Sequence, residues 1–84
     1  MKEIALEIEA IKVFTPRVFN DDRGYLFESF RSSWLPGVEF VQDNHSHSTK
    51  GALRGLHYQH EHPQGKLVRV VRGEVFDVAV DMRE

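Results

Sequence analysis

The sequence predicts an all-β sandwich or barrel, because short apolar runs recur along it with turn residues between them, roughly every 8–15 residues. No segment carries the periodicity of a long helix. Two β-branched runs, Leu67–Val71 and Val75–Val80, flank Arg72–Glu74, which contains a glycine. Short apolar strands on both sides of a glycine-containing turn predict a tight hairpin.

The first third of the chain predicts two strands and a turn. Apolar and other residues alternate over Ile4–Ile8, a period of two that is typical of a half-buried strand. Apolar residues continue as far as Pro16, where the missing amide interrupts a ladder. Asn20–Gly24 has the composition of a turn, and Tyr25–Phe30 reads as the next strand.

The middle of the chain predicts a short helical turn and two further strands. Arg31–Gly37 fits one helical turn closed by its proline and glycine. Val38–Ser48 alternates over a long stretch, and Ala52–Gln59 is a strand candidate interrupted by Gly55. His60–Gly65 is polar and predicts a loop.

Length and composition limit the class of protein. The chain has 84 residues and a net charge of -2, with 11 Lys and Arg against 13 Asp and Glu. We therefore expect one domain over residues 1–84 and no nucleic-acid partner, since no basic excess exists to neutralise phosphates. Without cysteine it has no disulfide or thiolate metal site, and no apolar run is long enough for a membrane helix. These features predict a cytoplasmic chain with no membrane partner.

The last residues raise the expectation that the fold is incomplete. Asp81–Glu84 follows directly on a strongly apolar predicted strand. Half a barrel would leave open strand edges, which proteins usually cover or pair. We therefore expect either a longer fold or a partner chain.

Candidate catalytic groups gather around His57. Its imidazole titrates near neutral pH and suits a general base, while a hydrogen-bonded structural histidine is the alternative. Arg54 has the opposite strand parity, and a bulge at Gly55 would bring both side chains to one face. Lys66 begins the next run and could stabilise an oxyanion, or be a solvated lysine at a strand end.

Polar groups elsewhere predict ligand contacts. Gln42, Asp43 and Asn44 interrupt an apolar alternation, so they fit either a bound ligand or a turn. Arg23 could bind phosphate, or form a surface ion pair with Asp21 or Asp22.

The five histidines do not predict a metal site. His45 and His47 share a face of a predicted strand, and His60 and His62 have the same spacing in a loop. No spaced acidic residue completes either pair, so we predict no metal.

One motif is nevertheless similar to a known pattern. Gly51, His57, Gln59, Lys66 and Gly73 follow the first motif of the cupin superfamily. Metal-binding cupins have histidine where this chain has Gln59 and glutamate where it has Lys66. A lysine cation would repel a divalent metal, so the metal function looks replaced.

Three blocks in order resemble the dTDP-4-dehydrorhamnose 3,5-epimerase family. They read PRVFNDDRGYLFESF (Pro16–Phe30), FVQDNHSHSTKGALRGLHYQ (Phe40–Gln59) and QGKLVRVVRGEVFDVAVD (Gln64–Asp81). The resemblance implies a cupin-type jelly roll, present as its N-terminal half. It also implies epimerisation of a dTDP-4-keto-6-deoxyhexose at C3 and C5 in dTDP-rhamnose synthesis, without a redox cofactor or metal.

The resemblance also assigns roles to individual residues. His57 matches the base that removes the proton next to the 4-keto group, and Lys66 matches the group that stabilises the enolate oxygen. Arg54 matches a contact near the diphosphate and the reacting centre. The other matches are substrate contacts, namely Gln42, Asp43 and Asn44 in one segment, Arg23 and Glu28 near the nucleotide, and Phe19 near the thymine.

The family pattern also contains parts that this chain lacks. The resemblance implies a second half with a tyrosine acid and an aspartate that orients the histidine. We therefore expect weak or no activity from the chain alone, and a homodimer formed through its N-terminal strands. The alternative is a truncated, non-catalytic β-module that self-associates or binds a sugar nucleotide.

Overall fold

A computed structural model describes residues 1–83 of the chain. Contacts divide the described chain after Asp43, and we take residues 1–43 and residues 44–83 each by itself. Among residues 1–83, the regular elements are antiparallel strands and one 3-10 turn. This confirms the all-β class and is consistent with part of a cupin-type jelly roll.

The first hairpin pairs β1 (Lys2–Ala5) with β2 (Lys12–Thr15) in antiparallel register. The strand predicted to run to Ile8 ends at Ala5 instead. The reason is a turn in which the Ile11 amide donates to the Ile8 carbonyl at 3.0 Å. Both isoleucines of this turn are half-buried.

The second hairpin pairs β3 (Val18–Asp21) with β4 (Gly24–Phe27). Its turn lies at the centre of the stretch Asn20–Gly24 that was predicted as a turn, and the strand predicted over Tyr25–Phe30 ends at Phe27. Only Asp22 and Arg23 lie between the strands. Gly24 has a φ of +137°, a conformation that L side chains rarely adopt. The glycine at this position is therefore what allows such a short connection.

The predicted helical turn is confirmed as a 3-10 turn at Ser32–Trp34. The Trp34 amide donates to the Arg31 carbonyl at 2.9 Å, and the Leu35 amide donates to the Ser32 carbonyl at 3.2 Å. These i to i+3 bonds are local, which is why residue type alone sufficed to predict them.

Aromatic contacts around Trp34 form the apolar centre of residues 1–43. The Trp34 ring centroid lies 5.6 Å from that of Phe14 and 6.0 Å from that of Phe30, the latter edge to face. Phe30 also meets Phe40 edge to face at 5.6 Å. The tryptophan stays half-buried, and no described residue of the chain is fully buried.

Residues 44–83 are irregular and exposed throughout. The structure shows one backbone–backbone hydrogen bond between described residues of this segment, from the Ala52 amide to the Thr49 carbonyl at 3.1 Å. No helix within residues 1–83 combines the length and apolar character needed to span a bilayer.

Four predicted strands are therefore wrong as elements of this structure, namely residues 38–48, 52–59, 67–71 and 75–80. A strand is stable only when a neighbour takes its amide and carbonyl bonds, and these runs have no such neighbour among residues 1–83. The chain does bend at Val71–Gly73, where the glycine has a φ of +91°. The predicted turn has a counterpart, but the ladder beside it does not.

Candidate functional site

Three polar or aromatic side chains lie on or beside one face of the second hairpin. Phe19 on β3 pairs with Leu26 on β4, so both lie on one face of the ladder. Arg17 lies two residues before Phe19, and Glu28 lies two residues after Leu26. Arg17 and Glu28 lie just outside the paired strands, and both line the same cleft as Phe19.

A cleft of about 170 Å³ opens beside this face. The Arg17 guanidinium carbon lies 4.9 Å from the Phe19 ring centroid, within cation–π distance. Phe19 is 54% exposed, so one face of its ring can receive a planar ligand. The lining residues are Met1, Pro16, Arg17, Phe19, Glu28 and Trp34.

Glu28 lines the cleft, and its carboxylate is paired. Its Oε2 accepts a hydrogen bond from Arg31 Nη2 at 2.8 Å. This pair places a second cation near the cleft and offsets the carboxylate charge. An anionic ligand would therefore meet Arg17 without an uncompensated negative charge beside it.

Arg23 forms a surface ion pair with Asp21, which was the alternative that the sequence offered to a phosphate contact. Its Nη2 donates to Asp21 Oδ2 at 2.7 Å, and its backbone amide donates to Asp21 Oδ1 at 2.9 Å. The side-chain bond from Arg23, followed by the backbone bond, lowers the pKa of the Asp21 carboxyl below its ordinary value of 3.8. The arginine side chain is 90% exposed, and a role in binding phosphate stays a prediction.

His57 lines a separate cleft of about 300 Å³ within residues 44–83. Apart from the imidazole and the Tyr58 side chain, its walls are aliphatic or methionine side chains. Those walls come from two stretches of the segment, 56–58 and 78–82, and the lining residues are Leu56, His57, Tyr58, Val78, Ala79, Val80 and Met82. A histidine in such a cleft can exchange a proton with a bound carbon acid.

The other predicted catalytic groups do not line the His57 cleft. Arg54 donates from Nε to Ser48 Oγ at 2.8 Å and from Nη2 to the His47 carbonyl at 3.0 Å. It therefore holds the neighbouring loop. Lys66 is exposed and is absent from the lining.

The bulge proposed at Gly55 has no counterpart, because residues 52–59 form no strand. Gln42, Asp43 and Asn44 are all exposed, and Gln42 and Asn44 each interact with other residues. Whether they contact substrate stays a prediction. Within residues 1–83, no group of three or more His, Cys, Asp or Glu side chains could hold a metal ion.

Sequence reasoning missed several lining residues. Arg17 could have been found from its spacing of two from Phe19, which predicts a shared face. Trp34 is the one tryptophan of the sequence, which could have drawn attention to it. Its place beside the cleft depends on the 3-10 turn, which sequence spacing does not reveal. Val78 and Met82 lie more than 20 residues from His57, so local spacing could not connect them.

The described residues thus belong to an all-β chain with one cleft lined by an arginine and an aromatic ring and another lined by a histidine and apolar side chains. A protein-family model described as dTDP-4-dehydrorhamnose 3,5-epimerase matches residues 5–84. The chain belongs to that family. No solved structure matches it.

Curated relatives carry the same description. The chain is 58% identical to a Shigella flexneri dTDP-4-dehydrorhamnose 3,5-epimerase over 90 residues, covering 100% of this chain and 50% of the relative. It is 62% identical over 78 residues to one from Neisseria gonorrhoeae, covering 88% of this chain and 24% of the relative. A relative from Methanothermobacter thermautotrophicus is 51% identical over 85 residues, which cover 96% of this chain and 46% of the relative. The chain thus spans half or less of the length of these relatives.

Replacing Arg23 by glutamine is expected to raise the pKa of Asp21 toward 3.8. It should stay below that value, because the backbone amide at position 23 still donates. A carboxyl NMR titration measures the change. Because the pKa is depressed in the hairpin, its stabilising effect is present at neutral pH and is lost as pH falls through that depressed value.

The matched control for this titration is Arg31→Gln, which removes a cation paired with Glu28 instead. It should leave the Asp21 titration unchanged. An Asp21 pKa that does not rise in Arg23→Gln would contradict the assigned cause.

Proposed function

We propose that this chain supplies the proton-abstracting part of a dTDP-4-dehydrorhamnose 3,5-epimerase. The substrate is dTDP-4-dehydro-6-deoxy-glucose, and the product is the C3 and C5 epimer, dTDP-4-dehydrorhamnose. The observation that carries the proposal is the family match over residues 5–84, which spans a histidine lining an apolar cleft. The relatives' printed names support the reaction and the substrate class.

The chemistry follows from the keto group at C4, which acidifies the C–H bonds at both flanking carbons. His57 takes the proton, and the electron pair of the broken C–H bond forms the C=C bond of an enolate. The carbonyl oxygen then carries the negative charge, which the Lys66 ammonium stabilises. Return of a proton to the opposite face of the carbon restores the ketone and inverts the centre.

Lys66 lies outside the His57 cleft, so its role requires it to approach a bound substrate. A lysine ammonium is carried on a flexible stem of four carbons. Catalytic hydrogen bonds are also often longer in a protein without substrate than in its substrate complex. The family resemblance assigns Arg54 a contact near the diphosphate, which likewise requires it to leave its present partners. No metal or redox cofactor takes part in this scheme.

The first cleft fits the nucleotide part of the substrate. Phe19 offers an exposed ring on which a thymine can stack, and Arg17 lies beside it to attract the diphosphate. Glu28 can accept a hydrogen bond from the base or ribose. Further contacts proposed from the family resemblance are Arg23, Gln42, Asp43, Asn44 and Arg54.

The setting proposed for this activity is a cytoplasmic homodimer formed through the N-terminal strands, without nucleic-acid or membrane partners. Each two-stranded hairpin has an outer strand edge whose backbone groups can pair with another chain. Pairing at β1 or β2 would leave the Phe19 face accessible.

A non-catalytic β-module that binds the sugar nucleotide is the second candidate. The observation that favours it is the placement of Lys66 and Arg54 outside the His57 cleft. Such a module would use the Phe19 cleft alone. Binding without proton exchange would identify it.

Incubation of the chain with the substrate in heavy water tests the catalytic proposal. We expect deuterium at C3 and C5, at a rate at least about 10²-fold below that of a full-length relative, because a positioned general acid contributes about 10²–10⁴-fold. His57→Ala should reduce exchange to the buffer background. Mass spectrometry and proton NMR of the sugar report the positions.

The matched control is His60→Ala, which removes a histidine that does not line the His57 cleft. It should leave exchange intact. Exchange that survives in His57→Ala would place the base elsewhere. Background exchange in the unsubstituted chain would contradict catalysis by this chain and support the binding module.

Calorimetric titration with dTDP tests the nucleotide cleft. Phe19→Ala should weaken binding about 5- to 150-fold, since stacking of a base on an aromatic ring is worth about 1–3 kcal/mol. Tyr25→Ala is the control, because Tyr25 is an exposed aromatic residue on the opposite face of the same hairpin. Equal losses in the two variants would contradict the assignment.

A further inference from the structure

Glu28 lines the Phe19 cleft from a position that the hairpin ladder does not hold. Strand β4 ends at Phe27, so Glu28 is the first residue beyond the paired register. Its side chain is 46% exposed, and an exposed glutamate without a partner samples several rotamers. A carboxylate that serves the cleft as a fixed hydrogen-bond acceptor therefore needs a partner outside the ladder.

Arg31 provides that partner. Its Nη2 donates to Glu28 Oε2 at 2.8 Å, the distance of a charge-assisted hydrogen bond. Because a carboxylate has two oxygens, Oε1 can accept a hydrogen bond from a ligand while Oε2 stays with the guanidinium. The pair thus orients the carboxylate and compensates its charge at the same time.

The main chain of Arg31 is held by the 3-10 turn that follows it. Its carbonyl accepts the Trp34 amide at 2.9 Å, and its own backbone is extended, with a φ of −141° and a ψ of 136°. The Trp34 ring in turn packs against Phe14 of β2, with centroids 5.6 Å apart, and lines the Phe19 cleft. Arg31 therefore connects two lining residues, Glu28 through its guanidinium and Trp34 through its carbonyl.

We propose that Arg31 is a positioning residue for the nucleotide, a role that rests on the function proposed for the Phe19 cleft. It acts through Glu28, whose carboxylate it holds in one orientation toward the base or ribose. It also offsets the repulsion that an unpaired carboxylate would exert on the diphosphate. Arg17 already supplies a cation beside the Phe19 ring, so Arg31 needs no contact of its own with the ligand.

A double-mutant cycle on dTDP binding, measured by calorimetry at low salt, tests the proposal. Arg31→Gln should weaken binding about 2- to 5-fold, the range expected from an exposed ion pair. In the Glu28→Gln background the same substitution should change binding by less than about 1.5-fold, because the carboxylate through which it acts is gone. Arg31→Lys keeps the cation and should bind within about 1.5-fold of the unsubstituted chain.

The matched control is Arg83→Gln, which removes an arginine from an exposed pair with Asp81, a residue that does not line the Phe19 cleft. It makes the same change in net charge and should leave dTDP binding unchanged. Equal losses from Arg31→Gln in the two backgrounds would overturn the proposal, because Arg31 would then act on the ligand or on the fold without Glu28. A loss in Arg83→Gln as large as that in Arg31→Gln would overturn it as well.

Side-chain NMR without nucleotide tests the positioning step by itself. Three-bond couplings at the Glu28 β-protons should report one dominant χ1 rotamer in the unsubstituted chain and in Arg31→Lys, and rotamer averaging in Arg31→Gln. Unchanged couplings in Arg31→Gln overturn the proposal whether or not dTDP binds. Failure of the unsubstituted chain to bind dTDP overturns the function proposed for the cleft and the nucleotide role of Arg31 with it, whereas a rotamer change in Arg31→Gln still supports its hold on Glu28.

Discussion

The structure depends on how much apolar strand surface the chain can cover with its own residues. A two-stranded hairpin is marginal in water and needs either further strands or a second layer packed against one face. Residues 1–43 supply part of that layer through Trp34, whose ring meets Phe14 and Phe30. Residues 44–83 supply none for themselves, and every described side chain there stays exposed. The same physical requirement therefore explains both the ordered hairpins and the irregular segment.

The two clefts differ for the same reason. The cleft beside Phe19 adjoins a paired ladder, and Arg17 and Glu28 flank the ends of its two strands. The cleft beside His57 is built from irregular chain, with aliphatic walls that no sheet fixes. Catalysis requires groups held in a defined geometry, whereas stacking of a base on a ring tolerates more variation. Of the two roles proposed for these clefts, base stacking therefore makes the smaller demand on fixed geometry and proton abstraction the larger one.

Local signals in the sequence predicted local structure well. The turn before Gly24 and the 3-10 turn before Leu35 were predictable because their hydrogen bonds join residues three or fewer apart. The strands expected between residues 38 and 80 could not form from their own pattern, since a ladder needs a partner that local sequence does not specify. The first strand ends at Ala5 because the chain turns between Ile8 and Ile11, where the Ile11 amide donates to the Ile8 carbonyl.

The candidate site was predictable to a similar extent. Phe19 and Glu28 share a cleft because the hairpin register follows from its turn. His57 was identifiable from chemistry and family resemblance, but its aliphatic neighbours were not, as they lie far along the chain. Arg54 was expected beside His57, and its hydrogen bonds run instead to Ser48 and the His47 carbonyl. A side chain with five donors takes whichever acceptors the local loop presents, and sequence spacing does not reveal them.

Residue-resolved amide hydrogen exchange on the isolated chain is the most direct measurement of whether its two parts differ in this way. We expect slowed exchange at the paired amides of the hairpins, β1 with β2 and β3 with β4. We expect residues 67–80 to exchange at close to the rate of an unstructured peptide, because no described neighbour takes their backbone hydrogen bonds. Strong protection over residues 67–80 in the monomeric chain would contradict this explanation, since those strands would then be covered by the chain's own residues.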